Sequence, residues 1–350
     1  MLIFQLALAG VAECLARTPA RKAFHPGQVW LDREGKPMHA HHGGMLLSRG
    51  VHYWYGEDMT LGVYNRIGVS CYSSRNLYDW QPEGVVLPKQ AVPEQFRDGG
   101  VCERPKVIYN RKTRQYVMWM HLDSEDGTAA LAGVAVAGHP TAPFRFLRAF
   151  RPIRCEVECP ANDRSRQKEL GSTFRDMGLL LDDNGSAYVF YASEDNATMY
   201  VSRLNADFTG IEEPAVEGKT WARILVNRKR EAPAPFQYRG KYFLITSACT
   251  GWAHNAASYA VADSPSGPWT GRGNPCAGPQ AELTFSSQST CVLAAPGKPH
   301  GCFIFMGDRW FKDRMEDCRH VWLPFRMNGD GFELRWRDEW DLQWFDRGSS

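Results

Sequence analysis

Gly43-Gly-Met-Leu-Leu-Ser-Arg-Gly50, followed at once by Val51-His-Tyr-Trp-Tyr55, is an apolar run, a tight turn and an aromatic strand. It reads as a β-hairpin. The phrase returns as Pro105-Lys-Val-Ile-Tyr-Asn-Arg-Lys-Thr-Arg114 with Gln115-Tyr-Val-Met-Trp119, and as Met177-Gly-Leu-Leu-Leu-Asp-Asp-Asn-Gly185 with Ser186-Ala-Tyr-Val-Phe-Tyr191. It returns again as Ala232-Pro-Ala-Pro-Phe-Gln-Tyr-Arg-Gly240 with Lys241-Tyr-Phe-Leu-Ile245, and last as Ser289-Thr-Cys-Val-Leu293 with Gly301-Cys-Phe-Ile-Phe305. The turns fall near residues 50, 114, 185, 240 and 301.

Further strand-like runs follow within the intervals, among them Ile67-Gly-Val-Ser-Cys-Tyr72, Ala132-Gly-Val-Ala-Val136, Met199-Tyr-Val-Ser202 and Ala257-Ser-Tyr-Ala-Val261. Long helical periodicity is absent. Four strands in each of five repeats of about 60 residues predict an all-β, five-bladed β-propeller. A β-sandwich with coincidental spacing is the alternative. The propeller is expected over residues 27–346, after a lead-in at 17–26. The tail Arg335-Trp-Arg-Asp-Glu-Trp-Asp-Leu342 is expected to supply a closing strand.

The chain of 350 residues carries 41 Lys+Arg and 39 Asp+Glu. Such a balance gives no reason to expect a nucleic-acid or anionic-membrane partner. Residues 1–16 are apolar and lack Lys and Arg, so they read as a signal peptide with a weak charged region, and the protein as secreted. An N-terminal segment packed on the domain is the alternative. No later stretch approaches the ~18 apolar residues of a membrane span. The ten cysteines show one Cys-x3-Cys pair, Cys155 and Cys159, with no second pair or His to complete a zinc knuckle. A few disulfides are compatible with this count, and several thiols lie in apolar strands as buried residues do.

Just before each repeat's first apolar strand stands a polar residue: His41, Glu103, Asp176, Glu231 and Gln288. Stability alone does not explain them, because a buried carboxylate costs several kcal/mol unless paired. At a propeller mouth they would converge on one pocket. Carboxylates among aromatic rings suit glycoside hydrolysis, which needs a protonated acid for the leaving oxygen and a second group across the sugar. A neighbouring carboxylate holds the acid's proton by like-charge repulsion. The structural alternative pairs each acid with an adjacent arginine, Arg104, Arg175 or Arg230.

At these residues the chain resembles glycoside hydrolase family 43, and most closely its exo-β-1,3-galactanase branch. The resemblance runs from residue 27 to 342 through Trp30-Leu-Asp-Arg-Glu-Gly-Lys-Pro37, Ala40-His-His-Gly-Gly44, Tyr53-Trp-Tyr-Gly-Glu57 and Glu103-Arg-Pro-Lys-Val-Ile-Tyr-Asn110. It continues through Arg175-Asp-Met177, Glu231-Ala-Pro233, Thr250-Gly-Trp252, Ser287-Gln-Ser-Thr290, Met306-Gly-Asp-Arg-Trp310 and Val321-Trp-Leu-Pro324. It implies an inverting hydrolase that releases galactose from β-1,3-galactan, the arabinogalactan backbone. Relatives that cut α-L-arabinofuranosides or β-xylosides are the first alternative, and a non-catalytic glycan-binding propeller the second.

The resemblance implies Glu231 as general acid, Asp176 as the residue that raises its pKa, and Gln288 as holder of the attacking water, with Glu103 as the other candidate base. Inversion needs the acid and the water-holding group about 6.5–9.5 Å apart. Glu57, Arg104 and His41 are expected to bind substrate, with Trp252 stacking on a sugar face. The family usually carries Gly where His42 stands and Ser where Phe174 stands, and an aromatic sugar contact where this chain has Gly127-Thr-Ala-Ala130. No metal is expected, because no carboxylate or further His follows His39, His41 and His42 at ligand spacing. No cofactor is expected, the partner is an oligo- or polysaccharide, and the chain is expected to act as a monomer.

Overall fold

The computed structural model describes residues 22–62, 67–155 and 167–347. The apolar start at 1–16 and Cys159 lie outside these residues. Five four-stranded antiparallel sheets follow one another in chain order, each a simple meander from inner to outer strand. Their inner strands are His41–Ser48, Val101–Asn110, Arg175–Leu181, Arg230–Tyr238 and Gln288–Ala294. This is the expected five-bladed propeller.

The turns behind the repeat take the conformations their residues allow. Arg49-Gly50 and Arg239-Gly240 both have positive φ at each residue and connect paired strands directly, as two-residue hairpin turns require. Successive residues of each second strand serve opposite faces of the sheet. In Gln115–Asp123, Val117 and Trp119 enter the core between blades 2 and 3, while Met118 and Met120 enter the core between blades 1 and 2. In Cys302–Arg309, Phe303 and Phe305 face blade 4, while Ile304 and Met306 face blade 1. Both faces of each blade are covered, so these strands read as continuous apolar runs rather than alternating ones.

Near the axis the strands crowd. A Cβ on Gly178 would collide with the Pro233 carbonyl oxygen of the next blade. This contact demands glycine there.

The ring closes between blades 5 and 1 without a shared strand. Phe24 and Trp340 exchange backbone hydrogen bonds of 2.7 and 3.1 Å. Trp30, Trp54, Trp80, Trp322 and Phe345 pack around them. The tail differs from expectation: the last blade ends with Gly331–Phe332, because a tight turn through Gly329 folds the chain straight back. The segment beyond it is thereby free for other contacts. Leu334–Arg335 pairs in parallel with Cys276–Ala277, and Trp340 clasps the N-terminal segment.

All eight cysteines among the described residues are free thiols, so no disulfide forms among them. No helix among the described residues is long and apolar enough to cross a membrane.

Trp322 is fully buried in the closing seam, with rings of Trp54 and Trp30 at 4.8 and 5.0 Å. Trp322→Ala should cost about 3–5 kcal/mol of stability, by lost burial plus the cavity left behind. A urea titration showing a midpoint indistinguishable from wild type would contradict this role for the seam.

Candidate active site

Every inner strand begins with one residue too many. His41 pairs with Glu57 and Gly44 with Tyr55, so three steps on the inner strand face two on its partner. The same bulge separates Glu103 from Lys106, Arg175 from Gly178, Glu231 from Ala234, and Gln288 from Cys291. A β-bulge bends its strand and re-aims the side chains beside it. The extra residues His42, Arg104, Asp176 and Ala232 have φ of 50°, 54°, 44° and 55°.

This register corrects one expectation. Counting back from the turns aligned Asp176 with Glu103 and Glu231, but Arg175 occupies that position. The third blade's hairpin is longer, since Leu181 pairs with Ala187, and the count from Gly185 slips by one. Asp176 stands in the bulge, equivalent to Arg104.

Arg104 is the hub of the site. Its backbone N–H donates to Glu57 Oε1 at 3.0 Å, and its Nε donates to Asp176 Oδ1 at 2.5 Å. One terminal nitrogen donates to the Ser289 carbonyl at 3.1 Å and the other to Gln288 Oε1. Gln288 Nε2 in turn donates to Glu231 Oε1 at 3.0 Å and to Ser247 Oγ at 2.6 Å. One guanidinium from blade 2 thus reaches blades 3 and 5 directly, and blade 4 through Gln288, while the backbone of the same residue reaches blade 1.

Glu231 is mostly buried. That burial, followed by the negative charge of Asp176, raises its carboxyl to about 7, against the opposing pull of Arg104. A carboxylic acid that keeps its proton near neutrality beside an ion-paired carboxylate is suited to general acid catalysis.

The sequence profile of the glycosyl hydrolases family 43 matches residues 53–288. The chain belongs to glycosyl hydrolase family 43. Solved relatives share its architecture. The β-1,3-galactosidase BT3683, solved with galactodeoxynojirimycin, is 36% identical with a TM-score of 0.81, the match covering 91% of this chain and all of that one. The β-1,3-galactosidase BT0265 is 33% identical with a TM-score of 0.81 over 93% of this chain, which spans 65% of its length. The exo-β-1,3-galactanase from Phanerochaete chrysosporium, solved as a single-site variant with β-1,3-galactotriose, is 30% identical with a TM-score of 0.78, covering 91% and 68%. A comparison with curated proteins found no match.

In this family 43 hydrolase Glu231, Asp176, Gln288 and Arg104 form one bonded set, and Glu103 adds its charge beside Arg104. Glu103 also lies 3.3 Å from His121 Nδ1. Burial disfavours the proton on His121, but Asp123 and Glu103 outweigh it and raise the imidazole to about 9.

Two residues expected to bind substrate are buried and packed within the protein. Glu57 is fully buried and braces the bulges, accepting from the Arg104 amide with His42 Nδ1 3.0 Å away. His41 is fully buried between the rings of His39 and His320.

The expected gap between acid and water-holding group is closed as well. Gln288 Nε2 donates to Glu231 Oε1 at 3.0 Å, so the two side chains are in direct contact. Trp252 is half-buried against Trp310, whose indole N–H donates to its carbonyl at 2.9 Å. It lines an open cleft of about 650 Å³ with His254, Arg309 and Lys312. Phe174 fills the interior between Trp119 and Tyr191 and is wholly buried.

The residues that sequence reasoning missed have a common origin. Ser247 and His121 are the cross-strand partners of Glu231 and Glu103, and Asp308 is that of Gln288. Counting both arms of each hairpin, with the bulge included, would have found them. Asn196, whose Nδ2 donates to Glu231 Oε2 at 3.3 Å, arrives on a loop of blade 3 and leaves no such signal. Cys249 lies against Glu231, and burial followed by that carboxylate pushes its thiol up to about 12.

Arg104→Met should cost about 3–5 kcal/mol, because it strands Asp176 without its cation. Chemical denaturation checks this. A loss under about 1 kcal/mol, the range of an exposed pair, would show that the hub is dispensable.

Proposed function

We propose that this family 43 hydrolase is an exo-acting, inverting enzyme that releases galactose from β-1,3-galactan. The observation that carries the mechanism is the Glu231 carboxyl, held near neutral pKa beside Asp176 and bonded to Gln288. The solved relatives named for β-1,3-galactosidase and exo-β-1,3-galactanase activity support the substrate.

In this reading Glu231 gives its proton to the glycosidic oxygen as the bond to the anomeric carbon breaks. Asp176, paired with Arg104, raises the acid's proton affinity through its negative charge. The sugar enters between Glu231 and Gln288, and the amide Nε2–H freed from Glu231 orients a water on the opposite face. A neutral amide is a poor proton acceptor, so Gln288 positions the water rather than deprotonating it fully. A second assignment of the base is Glu103, favoured by its occupying in blade 2 the register position that Glu231 occupies in blade 4. Within the family, pentosidase action is the alternative substrate reading. The buried His41 and His42 stand where those enzymes would be expected to keep an Asp base. The apolar first 16 residues support an exported enzyme.

Release of sugars from β-1,3-galactobiose, β-1,3-galactan and aryl pentosides tests the substrate. Galactose is expected, appearing first as the α-anomer by proton NMR. Pentose release would transfer the substrate to the alternative, and a β-anomer would overturn inversion. Glu231→Gln should lower the rate on galactobiose by about 10²–10⁴-fold.

The acid must be protonated to act, so kcat/KM should fall as pH rises through about 7. Asp176→Asn removes the like charge, lowers the acid's pKa, and should move that descending limb to lower pH. A limb that stays in place would remove Asp176 from this role.

A further inference from the structure

Three side chains meet in the closing seam between blades 5 and 1. His41 comes from the inner strand of blade 1, and Asp308 and His320 come from the second and third strands of blade 5. Each offers one donor atom, and the three donors lie within 4.8 Å of one another. All three residues are 2% exposed or less.

Asp308 and His320 have partners. Asp308 Oδ2 accepts the His42 backbone N–H at 2.5 Å, and Oδ1 lies 2.8 Å from His320 Nδ1. His320 Nε2 lies 3.4 Å from the Met38 carbonyl. His41 is different: both of its ring nitrogens are buried, and neither has a hydrogen-bond partner among the described residues. An unsatisfied buried polar group costs about 1–3 kcal/mol, and such groups in native proteins call for an explanation.

Among the described residues nothing donates to a lone pair of His41 and nothing accepts from its N–H. A neutral imidazole with a free lone pair, beside a second imidazole and a carboxylate, is a metal-ligand set. We propose that His41, Asp308 and His320 bind one divalent cation of the zinc type. Two nitrogens and one carboxylate oxygen favour zinc over calcium or magnesium, which prefer all-oxygen shells. A tetrahedral ion with bonds of about 2.0–2.1 Å needs its donors about 3.4 Å apart, so the side chains close in by about 1.4 Å at most.

The site's location gives the ion its role. Blades 1 and 5 are the first and last in the chain, and they meet without a shared strand. The ion joins residue 41 to residue 320 across that seam. Asp308 is also the cross-strand partner of Gln288 and holds the His42 amide, so the same ion fixes two of the five blade starts that surround the axis. The role is structural, with no part in the glycosidic step.

The test uses the whole chain, purified without chelator and also unfolded, stripped of metal, and refolded with or without one equivalent of ZnCl2. Wild type should retain one zinc per chain by elemental analysis after gel filtration. The zinc-refolded protein should melt several degrees higher than the metal-free one, and Co2+ in place of zinc should give the intense visible bands of a tetrahedral site. His320→Gln should lose at least ten-fold in bound metal and show one melting temperature with or without zinc. Retention of no metal by refolded wild type, or equal zinc in wild type and His320→Gln, would overturn the proposal. If His320→Gln does not fold, the two wild-type melting temperatures decide: equality overturns it, and a zinc-dependent rise upholds it.

Discussion

The site depends on where one guanidinium can be placed. Arg104 carries its charge at the centre of the ring, almost wholly out of water. A buried cation is tolerable only where acceptors meet its planar, directional N–H groups. Asp176, Gln288 and the Ser289 carbonyl do this from two other blades, while Glu57 takes the backbone amide from a third. Satisfying Arg104 therefore requires the blades to be correctly arranged around the axis. The same arrangement brings Gln288 to Glu231 and keeps the Asp176 charge close enough to raise that carboxyl. Folding and acid tuning draw on the same bonds.

The bulges make this possible. Five regular inner strands would present alternate side chains to the neighbouring blades and leave few polar groups turned toward the axis. One extra residue at the start of each strand breaks the alternation and aims a side chain into the mouth. The conformation is left-handed at four of the five positions and so costs local strain at His42, Arg104, Asp176 and Ala232. The two-sided cores between blades hold the backbone in place against it. A Gly at the position of His42 would carry no such strain. Here the imidazole compensates by lying 3.0 Å from Glu57 Oε1 and edge-on to Trp310.

The propeller was legible because its hairpin phrase recurs at nearly even spacing, and because continuous apolar second strands have only one economical use, a sheet covered on both faces. The polar residues at the blade starts were legible for the opposite reason, since apolar strands do not tolerate carboxylates without cause. Their individual roles were less legible. Glu57 and His41 looked like ligands because they sit in the right phrases. In the folded ring Glu57 braces Arg104 and His41 lies in the seam. A one-residue slip placed Arg175, not Asp176, at the blade-start position of the third repeat.

The sequence by itself determined the class of fold, the number of blades, the family and the residues worth watching, because these follow from local pattern and its repetition. Only the tertiary structure decided which of those residues touch. The pairing of Gln288 with Glu231, the reach of Arg104 to three other blades, and the meeting of His41 with Asp308 and His320 all join residues far apart in the chain. No local periodicity encodes such contacts. They arise when the ring closes and the first and last blades are pressed together by a seam of tryptophans.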